Sequence, residues 1–278
     1  MILNLDSTFN PFTNQKEIEY EKFTFSGGEP HLKITTDLTD VDEVTITQRI
    51  RSFNDVGFIL LAVNALRNQF IEKINLFIPY FSAARQDRLM VSGEPLSVKV
   101  YAELINNLNL NKVTIFDPHS EVAPALLNKC AVIENYEFIK KVTEDLGDEL
   151  LLISPDGGAL KKIYKVAAFL KNYDVVEGSK SRDVKTGKLS GFKVYADDLD
   201  GKDCLIVDDI CDGGGTFLGL AKELKAKNAG KLYLAVSHGI FSRGFEELSK
   251  VFDKIYTTDS FRDIEEEFVE QIKLEEIK

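Results

Sequence analysis

The sequence predicts an α/β protein built from mainly parallel sheets flanked by helices. Short apolar segments alternate with amphipathic segments of helical length, which is the pattern of strand–helix–strand units around parallel strands. The series restarts near Leu146-Gly147-Asp148, and 278 residues are enough for two domains of moderate size. We therefore expect two tandem α/β domains, over residues 1–146 and 147–278.

Composition and charge narrow the class of protein. The chain carries 34 Lys and Arg against 45 Asp and Glu, and this formal net charge of −11 disfavours general binding to nucleic acid. No apolar run approaches the ~18 residues of a membrane span, and the N-terminal residues lack a signal-peptide pattern. Three cysteines without a CxxC pair indicate a reducing compartment. We expect a cytoplasmic protein that binds neither nucleic acid nor membranes.

The first half of the chain contains short strands followed by helix–strand units. Four short segments predict antiparallel strands, at residues 4–5, 22–25, 32–36 and 44–48. Apolar residues at helical spacing then predict a helix over residues 54–70. The remaining elements are predicted as a strand (73–80), a helix (95–108), two strands (112–116 and 130–133) and a helix (136–146).

The second half repeats this order, with one interruption. A strand (150–153), a helix (158–170) and a strand (173–176) come first, and a polar, glycine-containing stretch over residues 177–191 breaks the series. The elements after it are predicted as strands (192–195 and 204–207), a helix (215–228) and a strand (232–236). A last strand-like segment, 268–274, could return to the first domain.

One segment in the second half has the composition of a sugar-phosphate-binding loop. After an apolar strand it contains, in order, Asp208, Asp209, Asp212, Gly213, Gly214, Gly215 and Thr216. Glycines let the backbone approach a ligand, and the N–H groups of a helix start attract phosphate. Two neighbouring carboxylates can accept hydrogen bonds from vicinal sugar hydroxyls, directly or through a cation. The alternative is an ordinary strand–helix turn with solvated aspartates.

This segment resembles the ribose-phosphate loop of the type I phosphoribosyltransferase fold, and the chain as a whole resembles the ribose-phosphate pyrophosphokinase family. Further matching segments follow in order along the chain: Phe25-Ser26-Gly27-Gly28-Glu29, Pro79-Tyr80-Phe81-Ser82-Ala83-Ala84-Arg85-Gln86-Asp87-Arg88, Asp117-Pro118-His119, Ser154-Pro155-Asp156-Gly157-Gly158 and Lys180-Ser181-Arg182. The resemblance implies two tandem phosphoribosyltransferase-like domains, of which the N-terminal one binds ATP and the C-terminal one binds ribose phosphate.

The resemblance also implies a role for individual residues. The ATP-binding residues implied are Phe25, Glu29, Arg85, Gln86, Arg88 and His119, with Phe25 and Glu29 reaching a neighbouring subunit's adenine. His119 and Asp156 would hold Mg²⁺, and Lys180 and Arg182 would lie on a mobile catalytic loop. The site would therefore bind ATP and a ribose 5-phosphoryl acceptor in a homo-oligomer of at least two chains.

These residue types suit the chemistry on their own account, although each has a simpler alternative. Transfer of a diphosphate requires alignment and charge neutralisation, which arginine, lysine and Mg²⁺-binding carboxylates supply. An isolated arginine is more commonly part of a surface salt bridge, and a polar basic loop is more commonly solvated. We expect His31 and His238, which lie beside strands, to be structural.

Three positions depart from the family pattern. Gly213 stands where the family usually has threonine, which removes a hydroxyl beside a terminal 5-phosphate and opens space for a substituted one, as in ADP-ribose. Gly27 replaces an aspartate near the adenine, which leaves the nucleotide preference open. The chain ends at Lys278 without the family's C-terminal helix, so we expect a dimer rather than the usual hexamer with its allosteric control.

These observations favour one function over three alternatives. The leading expectation is transfer of the β,γ-diphosphate of ATP to the 1-hydroxyl of ribose 5-phosphate, giving phosphoribosyl pyrophosphate and AMP. The nearest alternative is the same transfer to ADP-ribose, in a pathway that rebuilds NAD. A phosphoribosyltransferase that consumes the activated sugar would not need the segment that contains Arg85 and Arg88. A catalytically silent paralogue would not need Lys180, Arg182 and Asp156 together.

Overall fold

The computed structural model describes residues 1–147, 149–171, 173–182 and 189–278, without the side chains of residues 181, 182, 189 and 190. The chain forms two compact units: unit 1 comprises residues 1–134 with Lys278, and unit 2 comprises residues 135–277. The helix Tyr136–Leu146 packs on a helix and a strand of unit 2. The division therefore precedes this helix, whereas the sequence placed it after residue 146.

Unit 1 is a parallel sheet with helices and one separate hairpin. Its elements are β1 (Ile2–Asn4), β2 (Tyr20–Thr24), β3 (Pro30–Ile34), β4 (Glu43–Thr47), α1 (Phe53–Arg67), β5 (Lys73–Ile78), α2 (Ser97–Asn106), β6 (Lys112–Phe116), α3 (Val122–Leu126) and β7 (Cys130–Ile133). The sheet order is β1-β4-β5-β6-β7, and every neighbouring pair is parallel. The strands β2 and β3 form an antiparallel hairpin.

Unit 2 contains a larger sheet. Its elements are α4 (Tyr136–Leu146), β8 (Leu150–Ser154), α5 (Leu160–Leu170), β9 (Val175–Arg182), β10 (Leu189–Val194), β11 (Asp203–Cys211), α6 (Gly215–Ala226), β12 (Leu232–Gly239), α7 (Glu246–Ser249), β13 (Lys254–Thr258), β14 (Val269–Ile272) and a short 3₁₀ helix (Leu274–Glu276). The sheet order is β10-β9-β8-β11-β12-β13-β14, in which only β9 and β10 are antiparallel.

The central strand of this second sheet is buried along its first part and extends past its neighbour at its end. The strand β11 lies between β8 and β12, and its apolar residues Cys204, Leu205 and Ile206 are fully buried. A central strand of a parallel sheet is covered on both faces, so it reads as a continuous apolar run. The strand β11 pairs with β8 only as far as Ile206, opposite Ile153, and continues beyond that point. Its last residues therefore project past the end of β8.

Three features of the fold differ from the sequence-based expectation. The strands β1 and β4 pair in parallel, and the β2–β3 hairpin lies between them in sequence. Of the four strands predicted to be antiparallel in the first half of the chain, β2 and β3 are the two that pair in this way. Within the polar stretch 177–191, residues 177–182 belong to β9 and residues 189–191 to β10, because backbone hydrogen bonds can pair polar segments. The part of the predicted mobile loop at residues 183–188 lies outside the described residues. The last strand, β14, pairs with β13 in unit 2 and does not join the sheet of unit 1.

Among the described residues, no helix has both the length and the apolar composition that crossing a bilayer requires.

Candidate active site

The carboxyl ends of three neighbouring strands bring the polar residues of unit 2 together. The strand β8 lies between β9 and β11, and all three run parallel. Asp156 follows the end of β8, Lys180 lies near the end of β9, and Asp208 lies near the end of β11. Because the carboxyl ends of parallel strands meet at one edge, this edge is where open α/β sheets bind ligands.

Asp156 and Lys180 form the central ion pair of this edge. The Lys180 Nζ lies 2.7 Å from Asp156 Oδ2 and 3.4 Å from Thr216 Oγ1. The other carboxylate oxygen of Asp156 accepts hydrogen bonds from the N–H groups of Gly158, at 2.8 Å, and Ala159, at 3.0 Å. Burial acts to raise the pKa of Asp156, but these hydrogen bonds and the Lys180 charge outweigh it and lower that pKa. Asp156 is therefore held in its charged form.

Asp208 and Asp209 concentrate negative charge beside this ion pair. The Asp209 N–H donates a hydrogen bond of 2.9 Å to Asp208 Oδ1, and Asp209 is 6% exposed. Burial raises the pKa of Asp208 well above its usual range, and the charges of Asp209 and Asp156 raise it further. A ligand that donates hydrogen bonds, or a cation, would relieve this repulsion. The pair is suited to hold sugar hydroxyls, Mg²⁺ or both.

The glycine loop connects β11 to α6 as the sequence predicted. Gly214 has a φ of 74°, a left-handed conformation that favours glycine, and its carbonyl oxygen accepts the N–H of Leu218 at 3.0 Å in the first turn of α6. Gly215 and Thr216 begin the helix. The N–H groups of such a helix start point towards the loop and can bind a phosphate.

Burial also affects a thiol at the start of this loop. Cys211 is fully buried, and this burial, with the nearby Asp208 charge, raises the pKa of the Cys211 thiol to about 12. The thiol stays protonated at neutral pH, so the loop contains no reactive thiolate from this residue.

In unit 1, the predicted ATP-binding arginines follow β5 on an exposed segment. Ala83 has a φ of 67°, and its carbonyl oxygen accepts the Gln86 N–H at 2.8 Å, so the chain turns sharply. Arg85, Gln86 and Arg88 are exposed. The Arg88 Nε lies 3.4 Å from Asp87 Oδ1, with three quarters of the Arg88 side chain accessible. Exposed guanidinium groups of this kind can bind a triphosphate in a bidentate way.

The β2–β3 hairpin presents an exposed aromatic ring. Phe25 is 52% exposed, and its ring centroid lies 4.8 Å from that of Phe23 and 5.6 Å from that of His31. The Phe25 N–H donates to the Glu29 carbonyl oxygen at 2.8 Å, which closes the turn. A Cβ at position 27 would lie 2.6 Å from Glu29 Oε2, so Gly27 leaves room for that carboxylate.

His119 lies in a turn after β6. The preceding Asp117 is fully buried, has a φ of 38° and donates its N–H to Ile133 at 2.8 Å, which directs the chain outward and leaves His119 exposed. Within the described ranges, no group of three or more His, Cys, Asp or Glu side chains is arranged to hold a metal. His119 belongs to unit 1 and Asp156 to unit 2, and neither unit alone forms a metal-binding cluster from its described residues.

Five of the residues that the sequence selected lie close together in the structure. They are Asp156, Lys180, Asp208, Asp209 and Thr216, all in unit 2. The structural interpretation of His238 is confirmed: it is buried, and its Nδ1 lies 2.7 Å from Ser260 Oγ.

Two predictions about the polar stretch have different outcomes. Lys180 lies in a strand and not on a loop, because β9 continues to residue 182. The side chain of Arg182 lies outside the described part of the chain, so its catalytic role stays a prediction.

Comparison with known proteins agrees with the two-domain α/β fold. Residues 12–108 match the N-terminal domain of ribose phosphate pyrophosphokinase, and residues 126–276 match the phosphoribosyl transferase domain. The chain is also similar in fold to phosphoribosylpyrophosphate synthetase from Mycobacterium smegmatis, with a TM-score of 0.85 at 19% identity over 99% of this chain and 95% of that one. The fold and site define an α/β protein of two phosphoribosyltransferase-type domains.

Relatives of higher identity specify the family. The ribose-phosphate pyrophosphokinase of Thermococcus kodakarensis is 32% identical over 88% of this chain and 86% of its own length. That of Mycoplasmopsis pulmonis is 30% identical over 88% of this chain and 77% of its own length. The chain belongs to the ribose-phosphate pyrophosphokinase family.

The repulsion at Asp208 predicts that its charge lowers the stability of the ligand-free protein. A carboxyl whose pKa is raised in the native state contributes most stability at low pH and loses it as pH rises through the raised pKa. We expect Asp208→Asn to increase the free energy of unfolding at pH 7 by about 0.5–2 kcal/mol, the usual size of such gains. The gain should shrink as pH falls towards ~4, where the wild-type carboxyl is protonated. Thermal and denaturant unfolding across this pH range measure both effects.

Asp197→Asn is the matched control, because Asp197 is an exposed carboxylate of the same unit. It should change stability little at any pH. A loss of stability in Asp208→Asn at pH 7, or a gain that does not depend on pH, would contradict the assignment of repulsion to this carboxyl.

Proposed function

We propose that this chain transfers the β,γ-diphosphate of ATP to the anomeric 1-hydroxyl of ribose 5-phosphate and releases AMP. Membership of the ribose-phosphate pyrophosphokinase family supports an ATP-dependent diphosphotransferase of this kind. The observation that carries the proposal is the cluster in unit 2, where Lys180 pairs with Asp156 beside the Asp208–Asp209 carboxylates. An acceptor sugar, a metal and a transferring phosphoryl group each require such groups.

The acceptor belongs to unit 2 in this proposal. Asp208 and Asp209 accept hydrogen bonds from the ribose hydroxyls, which offsets the repulsion between the two carboxylates. The backbone N–H groups of the loop 212–216 bind the 5-phosphate at the start of α6. The sugar is then fixed at both ends, which limits the positions that its 1-hydroxyl can adopt.

ATP belongs to unit 1. The exposed guanidinium groups of Arg85 and Arg88 bind its phosphates, and Gln86 contacts the adenine edge. Phe25 stacks on an adenine, and Glu29 lies on the same hairpin. Unit 1 would thus be the ATP-binding domain and unit 2 the ribose-phosphate-binding domain, with the division before Asn135 rather than after residue 146.

The transfer itself forms one P–O bond and breaks another. The 1-hydroxyl oxygen attacks the β-phosphorus, the bond from that phosphorus to the oxygen of the α-phosphate breaks, and AMP leaves as the hydroxyl proton passes to solvent. Negative charge spreads over the oxygens of the transferring group. Lys180 stabilises that charge, and Arg182 adds a second cation at the end of β9.

Mg²⁺ fits the donor groups of this chain. Carboxylate oxygens are the ligands that Mg²⁺ prefers, and one or two of them with phosphate oxygens and waters complete its shell. The mutual repulsion at Asp208 marks a position where a cation is favourable. We propose that Asp156 holds one Mg²⁺ with Asp208 or Asp209, and that His119 helps to hold Mg²⁺ on ATP. When bound, the ion neutralises phosphate charge.

The acceptor is tested by measuring AMP release from ATP and Mg²⁺, with ribose 5-phosphate or ADP-ribose offered at equal concentration. We expect faster AMP release with ribose 5-phosphate and none when EDTA removes the Mg²⁺. Faster AMP release with ADP-ribose would show that ADP-ribose, and not ribose 5-phosphate, is the acceptor. No AMP release with either acceptor would favour the hypothesis of a catalytically silent paralogue. The relatives carry the name of the ribose-phosphate enzyme, and nothing in the comparisons favours the two alternatives.

Replacement of Lys180 tests the mechanism. Lys180→Ala removes a cation that stabilises the transferring group, so we expect kcat to fall by about 10²–10³, the loss typical of one such donor. KM should change much less, because the contact strengthens in the transition state. Steady-state kinetics of AMP release measure both constants.

Lys193→Ala is the matched control. Lys193 is an exposed lysine on the neighbouring strand β10, and its Nζ lies 4.7 Å from the ring centroid of Tyr195. This variant should keep the wild-type kcat. Equal kcat values for Lys180→Ala and wild type would remove Lys180 from the mechanism.

We also propose that the chain forms a homo-oligomer of at least two copies. Phe23 and Phe25 are 46% and 52% exposed on the same hairpin, and exposed aromatic rings are enriched in protein contacts. A hairpin of this kind can present Phe25 to the ATP of a neighbouring copy. Sedimentation at equilibrium should give the mass of two or more chains; a single-chain mass would contradict the shared site.

The cytoplasm is the proposed location of the protein. Its three cysteines, Cys130, Cys204 and Cys211, are free thiols, which a reducing compartment preserves. Fractionation of the source cells tests this location directly.

A further inference from the structure

A turn that the sequence analysis did not select lies against the glycine loop. After β12, the Ser242 N–H donates to the Asp212 carbonyl oxygen at 2.9 Å, and Ser242 Oγ donates to Asp212 Oδ1 at 2.7 Å. The N–H groups of Ile240 and Phe241 both donate to the Cys211 carbonyl oxygen, at 2.9 and 3.0 Å. Four hydrogen bonds therefore fix this turn to the first residues of the loop.

The next residue of the turn, Arg243, covers Gly213. A Cβ at position 213 would lie 3.2 Å from Arg243 Nε and 3.3 Å from Arg243 Cδ, which is closer than most such contacts. Gly213 does not have a positive φ, so its backbone could accept a side chain. Gly213 is therefore favoured because it leaves space for Arg243, and not because the backbone conformation requires a glycine. Arg243 occupies the volume that a threonine side chain at position 213 would take.

The Arg243 side chain is available for a ligand. The residue is exposed, and no acidic side chain in the described ranges forms an ion pair with it. A guanidinium group with several N–H donors suits a phosphate better than a single hydroxyl does. An exposed arginine is usually solvated, but this one lies on the glycine position of a phosphate-binding loop.

We propose that Arg243 binds the 5-phosphate of the acceptor and takes over the role of the hydroxyl that Gly213 lacks. This inference rests on the proposed function, in which the loop 212–216 binds that phosphate. The loop supplies backbone N–H groups, and Arg243 supplies a full positive charge at its edge.

The charge also determines which acceptor is preferred. A terminal 5-phosphate carries about two negative charges and three free oxygens at neutral pH. A 5-phosphate inside a diphosphate linkage has fewer free oxygens, and its substituent must pass the Arg243 side chain. Arg243 therefore favours an acceptor with an unsubstituted 5-phosphate, and the space that Gly213 leaves is occupied rather than open to a larger acceptor.

The test compares Arg243→Ala and Arg243→Lys with wild type, by calorimetric binding of ribose 5-phosphate and by kinetics of AMP release. We expect Arg243→Ala to raise Kd and KM by roughly ten- to a hundredfold, the range for losing a hydrogen bond to a charged group. The kcat should change little, because the phosphate is bound equally in the ground and transition states. Arg243→Lys should keep part of the affinity, and Lys250→Ala, an exposed lysine nearby in sequence, should match wild type.

A second variant tests the pairing of positions 213 and 243. In Gly213→Thr the new side chain displaces Arg243 and adds a hydroxyl, so the arginine contributes less. We expect Arg243→Ala to raise Kd much less in the Gly213→Thr background than in wild type, which is a non-additive double-mutant cycle. Additive effects would contradict the pairing.

The two readouts separate this inference from the proposed function. If wild type releases AMP with ribose 5-phosphate but Arg243→Ala binds this sugar as tightly as wild type, the proposed function stands and the role of Arg243 is overturned. If wild type binds ribose 5-phosphate without releasing AMP and Arg243→Ala binds it more weakly, the role of Arg243 stands and the proposed transfer fails. Thermal unfolding of each variant confirms that the exposed substitutions leave the fold intact.

Discussion

The ion pair between Lys180 and Asp156 determines how the site of unit 2 is arranged. It joins β9 to the residues that follow β8, and the same ammonium group reaches Thr216 at the start of α6. Three elements are thereby fixed around one positive charge. Because Asp156 also accepts two backbone N–H groups, its position does not depend on Lys180 alone. The ammonium group can therefore interact with a ligand while the carboxylate keeps its place.

The two carboxylates on the neighbouring strand β11 repel each other and destabilise the empty site. Asp208 and Asp209 lie where β11 passes the end of β8, so the sheet partly shields them from water and increases their repulsion. A protein selected only for stability would not place two carboxylates there. Binding of sugar hydroxyls or a cation reduces the repulsion, so the free energy lost in the empty site is recovered when the substrates bind.

The loop from Asp208 to Thr216 could be predicted from the sequence, because its residues follow one another closely in the chain. The order of an apolar strand, two aspartates, glycines and a helix start is local, and the structure places Asp208 and Thr216 accordingly. Pairing between distant segments was less predictable. The parallel direction of β1 depends on β4, which is far away in sequence, and the polar composition of residues 177–182 concealed a strand. Arg243 lies in no motif, and only the contact with Gly213 reveals it.

The hairpin at the margin of the second sheet also affects how copies of the protein behave at high concentration. The strand β10 is the outermost strand on one side, and its register with β9 shifts between Ser190 and Lys193. An outermost strand exposes unpaired backbone groups that can recruit strands of other molecules into aggregates. An irregular register and an exposed lysine both interfere with such recruitment, and β14 at the opposite margin is only four residues long. The β9–β10 hairpin, which carries Lys180, thus also limits the addition of strands from other molecules to this sheet.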